Sequence, residues 1–74
     1  MEDDEIEVWK TAYRHGYSKA DIFHALRNPL KAVYGNDDMY MIIGPAENGA
    51  VIEVGFGDTG AIVHAMDARS KYWP

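Results

Sequence analysis

The chain contains no cysteine. That excludes disulfide staples, thiolate nucleophiles and cysteine-ligated zinc. It also lacks any apolar run near the ~20 residues that span a bilayer, and no basic-then-apolar segment opens it. A soluble, cytoplasmic protein with no membrane partner is the expectation. Bases are scarce, seven against twelve acids. The resulting charge of −5 would repel nucleic acid if it were spread evenly. Length is limited too. Seventy-four residues allow one domain, 1–74, with a marginal core, because so short a chain hides only about 60% of the surface its unfolded form exposes.

The acids that are present are unevenly placed. Glu2, Asp3, Asp4, Glu5 and Glu7 crowd the start, and the remaining seven acids are balanced by seven bases. Residues 1–5 read as an acidic start that frays. Carboxylates there suit the positive end of a helix dipole. The sharper reading is a segment that shields or mimics a phosphate site.

Ile6, Trp9, Lys10 and Tyr13 recur at spacings of three and four, which predicts a first helix closed by Gly16. Ser18 and Asp21 form a short capping box for a second helix, carried by Ile22, Ala25 and Leu26 and ended by Asn28-Pro29. Strand patterns follow. Leu30 to Tyr34 is a short candidate, and residues 35–38 have turn chemistry. Met39 to Ile43 is apolar throughout and stops at Gly44-Pro45, and Asn48-Gly49 is a hairpin signal. In Val51 to Phe56, Ile52, Val54 and Phe56 point one way and Glu53 and Gly55 the other. Gly57 to Gly60 turns the chain into a last strand, Ala61 to Met66. The predicted fold is α+β, with two N-terminal helices packed on one face of a three- or four-stranded antiparallel sheet. The opposite face is left to meet water, a partner or a ligand.

Three histidines carry the candidate chemistry. His15 sits at a helix end, His24 within a helix and His64 in the last strand, and none is paired at ligand spacing. No metal and no cofactor is expected. His64 alternates with Ile62 and Met66. If Ala61, Val63 and Ala65 pack under the helices, His64 lies on the open face; if Ile62 and Met66 are core, it is a buried, satisfied histidine. The glycines of residues 55–60 match G-x-G-x-x-G, but a strand follows them where the dinucleotide fingerprint needs a helix. The tail from Asp67 to Trp73 gathers Arg69, Lys71, Tyr72 and Trp73. Cations hold phosphate and aromatic faces stack bases; equally, terminal aromatics fold back to enlarge a small core.

The segment Arg14-His15-Gly16-Tyr17-Ser18-Lys19-Ala20-Asp21-Ile22, followed by Asn28-Pro29-Leu30, resembles the H-G-(I/V/Y)-S-x-x-(D/E) motif of BrnT-type toxins and of neighbouring small families of unknown function. Ile43-Gly44, the Asn48-Gly49 hairpin, Val51 to Val54 and Ile62-Val63-His64-Ala65 follow the same order, with His64 and Ala65 in a stretch similar to the family's I-I-S-A-R. The likeness covers about residues 13 to 72. It implies the RelE/ParE toxin superfamily fold and an RNA-cleaving toxin held by an antitoxin-like protein partner. His15 and Ser18 match the first motif, and His64 and Ala65 the last. On chemical grounds His64 would be base or acid, Arg69 and Lys71 phosphate clamps, and Tyr72 a stacking or proton-transfer group. Two departures count against activity. Met66 replaces the family's arginine, and the body of this chain is neutral rather than basic. One lost charge-assisted contact costs about 1.5–3 kcal/mol. The alternative is a non-catalytic interaction module that uses its open sheet face or its C-terminal aromatics to hold a protein partner or form a homodimer.

Overall fold

The computed structural model describes residues 6–34 and 39–74. The acidic start at 1–5 and the turn at 35–38 lie outside the described residues. The architecture is α+β, and the described residues form one α-helix, α1 (Lys19–Arg27), and four strands, β1 (Lys31–Tyr34), β2 (Tyr40–Pro45), β3 (Val51–Phe56) and β4 (Ile62–Asp67). The strands form one antiparallel sheet in chain order, β1-β2-β3-β4.

Helix α1 begins as its sequence requires. The Ser18 hydroxyl accepts the Asp21 N–H, and the Asp21 carboxylate accepts the Ser18 N–H in return. The other Asp21 oxygen accepts the Glu47 N–H and ties the start of α1 to the β2–β3 turn. At the other end, His24 donates Nδ1–H to the Pro45 carbonyl at 2.8 Å, so this histidine anchors the helix and stands apart from the other two. Both tight hairpins share one design. Ala46 N–H bonds Ala50 O around a loop ending in Gly49, and Gly57 N–H bonds Ala61 O around a loop ending in Gly60. Each of these glycines has φ near +90°, the left-handed geometry that a three-residue hairpin loop demands.

The first expected helix does not form. Trp9 is extended, and residues 7–9 run parallel to the start of β4, with Trp9 N–H on Ile62 O and Ile62 N–H on Glu7 O. Only a 3-10 turn, Lys10–Tyr13, follows before Gly16. The sequence spacing is helical, but β4 is an edge strand and its open backbone groups compete for these residues. Their partnership with β4 replaces an isolated helix too short to be stable alone.

Each face of the sheet carries a core, while β1 at the edge stays largely exposed. Beneath α1 and the 3-10 turn lie Ile52, Val54, Ile62 and Ala65, with Ala12, Ile22, Phe23 and Ala25. Gly44 makes this close approach feasible, since a Cβ there would stand 2.5 Å from the Ala25 carbonyl oxygen. The opposite face, expected to be bare, is closed by the tail. Ala68 and Tyr72 pack on Met41 and Ile43 beside Val33, Met39 and Val51. The short turn Ser70–Tyr72 lets the chain fold back there, and the Trp73 indole N–H secures it on Ala68 O.

Candidate functional site

His64 belongs to the face away from α1. A bulge opposite Gly55 and Phe56 sets this: Phe56 pairs with Ile62 while Gly55 pairs with His64. The inserted residue breaks the alternation expected for β4. Ile62 therefore joins the core under α1 with Ala65, and His64 emerges on the opposite side. Gly55 leaves space for it, because a Cβ there would lie 3.1 Å from His64 Cβ and 2.3 Å from the Met39 sulfur.

Glu53 is the neighbour that the sequence reading did not single out. It is a carboxylate at 0% exposure in the middle of the sheet. Its Oε2 accepts from His64 Nε2 at 2.9 Å and from Arg69 Nη2 at 2.8 Å. Its Oε1 accepts the Arg69 backbone N–H at 3.0 Å and Arg69 Nε at 3.3 Å. Burial alone would raise the carboxyl pKa. The Arg69 guanidinium and backbone N–H, the His64 ring and the nearby positive charge outweigh burial, and the pKa sits below its ordinary 4.5. The available signal was an acid inside the apolar run Val51 to Phe56. Strand alternation put it opposite Ile52 and Val54, but only the folded-back tail makes that position interior.

An ionised carboxylate only accepts, so His64 carries its proton on Nε2 when the ring is neutral. Its Nδ1 then presents a lone pair, and among the described residues no hydrogen bond reaches it. The His64 side chain is 24% exposed. The His15 ring lies 6.2 Å from it, nearly edge-on at 76°. His15 is itself exposed on the turn before α1. The neighbouring Tyr17 hydroxyl donates to the Asp67 carboxylate, fastening that turn to the end of β4.

The structure thus gathers all five candidate residues in one region. Arg69 is 5.2 Å from the Tyr72 ring and Lys71 5.0 Å from it. Their freedom differs from expectation. Arg69 spends Nε, Nη2 and its backbone N–H on Glu53. Tyr72 is buried in the second core, while Lys71 is exposed. Tyr72 and Trp73 do fold back, as one reading of the tail expected, although half of Trp73 stays exposed. Among the described residues, no group of three or more His, Asp or Glu side chains is arranged to hold a metal ion. No helix there is long and apolar enough to cross a membrane. No protein-family model, curated protein or solved structure matches the chain.

Proposed function

We propose that the protein is a toxin-like endoribonuclease on a BrnT-type variant of the RelE/ParE fold, with His64 as general base and His15 as general acid. The observation that carries the reading is the pair of imidazoles 6.2 Å apart, one of them oriented by a buried carboxylate. Cleavage of RNA by its own 2′-hydroxyl needs two proton transfers at one phosphodiester. His64 Nδ1 takes the proton of the 2′-hydroxyl as its oxygen attacks phosphorus. The imidazolium so formed is stabilised by Glu53 through Nε2, the role a carboxylate plays behind a catalytic histidine. Protonated His15 supplies the proton to the departing 5′-oxygen. The P–O5′ bond breaks, leaving a 2′,3′-cyclic phosphate and a free 5′-hydroxyl. Lys71 brings charge to the phosphate from the exposed tail.

The test is incubation of purified protein with a defined single-stranded RNA, with product ends identified by mass spectrometry. Wild type should yield cyclic phosphate ends, and His64→Ala or His15→Ala should lose at least about a hundredfold in rate. Expression should arrest growth with wild type alone. Intact RNA at high protein concentration overturns the reading. One observation favours the rival, a non-catalytic interaction module: Arg69, expected from the sequence as a phosphate clamp, is engaged by Glu53. Intact RNA together with a stable protein complex would select that rival.

A further inference from the structure

The two sheet edges are finished differently. At the start of β4 the outer edge is taken by residues 7–9, and Thr11 adds a side-chain bond to Val63 O. On the other side, among the described residues, β1 pairs only with β2. An open edge offers a row of unpaired backbone donors and acceptors to another strand. Proteins ordinarily guard such edges with charge, proline or a covering segment. Here β1 reads Lys-Ala-Val-Tyr, with one charge and no proline.

Large exposed apolar side chains surround this edge on both faces. Tyr34 is 77% exposed, and Leu30, just before β1, is 53% exposed. The Tyr34 ring lies tilted against Tyr40 with centroids 5.3 Å apart, and Tyr40 against Phe56 at 5.9 Å, extending the aromatic row across three strands. On the opposite face Lys31 donates to the Trp73 carbonyl, which brings the half-exposed Trp73 alongside β1. Among the described residues, four of the six exposed large hydrophobics, Leu30, Tyr34, Tyr40 and Trp73, thus flank this one strand.

We infer that β1 is the interface between two copies of this chain, paired antiparallel about a two-fold axis at Ala32. Opposed residues in an antiparallel ladder share a face, so the axis must fall on a residue or between like-facing ones. With Ala32 on the axis, the small side chains of two alanines meet at the centre. Leu30 then lies against the partner's Tyr34 on the face that carries Ala32, and Tyr34 against the partner's Leu30. On the other face Lys31 meets the partner's Val33, so no like charges oppose. The sequence Leu30 to Tyr34 is therefore complementary to itself in this register. A stable interface buries about 1,200–2,000 Å². A four-residue ladder alone falls short of that, and the leucine and the aromatic rings supply the rest.

The absence of native cysteine makes the register directly readable. Wild type should sediment as a dimer at micromolar concentration. Tyr34→Lys, at a site open to water, should keep the wild-type circular dichroism and weaken the dimer at least about tenfold. Oxidised Ala32→Cys should lock the dimer covalently, because paired Cα atoms stand about 4.5–5.5 Å apart, within disulfide reach. Leu30→Cys alone should not, since two such residues would lie about 13 Å apart along the ladder; combined with Tyr34→Cys it should. A monomeric wild type overturns the inference. So does a dimer that Tyr34→Lys leaves intact, or one that Leu30→Cys locks and Ala32→Cys does not.

Discussion

The Glu53 carboxylate and the His64 ring, 2.9 Å apart across the β3–β4 ladder, form a buried acid and a half-open base held in one orientation. Long-range proton–nitrogen NMR should therefore show neutral His64 protonated on Nε2. In Glu53→Gln, whose amide offers both a donor and an acceptor, that tautomer preference should weaken. Unchanged nitrogen shifts in the variant would remove the carboxylate from this role.

Glu53 also holds the tail, and its removal should cost stability. Breaking a buried ion pair costs about 3–5 kcal/mol. Arg69 is half exposed and can rehydrate, so Glu53→Ala should cost about 2–3 kcal/mol, read from urea unfolding. Retention of full stability would mean that the Arg69 and His64 contacts contribute nothing net.

Acid should act through the same carboxylate. The Glu53 pKa is lowered on folding from 4.5, so the unfolded chain binds the proton more tightly. The contribution is complete above that value and is lost as pH falls through the lower, folded pKa. Asp21 adds in the same direction, its carboxylate held by the Ser18 and Glu47 backbone N–H groups. Chemical denaturation from pH 6 down to about pH 2 should show a shallower fall in Glu53→Gln than in wild type.

Alkali should act through Tyr17. Its hydrogen bond to Asp67, with burial and the charge of that carboxylate, pushes the phenol up from 10.0 to about 12. A raised pKa stabilises the fold below the unfolded value of 10.0, and this contribution is lost as pH rises toward about 12. Absorbance at 295 nm should reveal a late-titrating component that is absent in Tyr17→Phe.

Two glycines should respond unequally to alanine. At Gly44 the new methyl meets the Ala25 backbone, which cannot move without shifting α1. The expected loss is about 2–3 kcal/mol. At Gly55 it meets the end of the Met39 side chain, which can rotate, and more distantly His64 Cβ. The loss should stay below about 1.5 kcal/mol, accompanied by shifted His64 resonances. Equal losses at the two sites would contradict this ordering.

Much of this arrangement was legible in the chain. The capping pair Ser18 and Asp21 announced α1, and the alternation of Ile52 and Val54 against Glu53 correctly divided the faces of β3. What escaped was decided between elements. The bulge beside Gly55 separates Ile62 from His64, and neither residue encodes it alone. Local spacing from Ile6 to Tyr13 favours a helix, yet the free edge of β4 draws those residues into a bridge. The alternation placed Glu53 away from Ile52 and Val54 but could not show it buried, because the residues that cover it, Arg69 among them, come much later in the sequence.

The bridge between Val8 and Ile62 has a kinetic consequence. The β2–β3 and β3–β4 hairpins close short loops, whereas this contact joins the beginning of the described chain to its final strand and carries a far larger closure entropy. The meander should therefore populate the folding transition state, and residues 7–9 should attach to it afterwards. A weakening substitution at Val8 then accelerates unfolding and leaves the refolding rate nearly untouched.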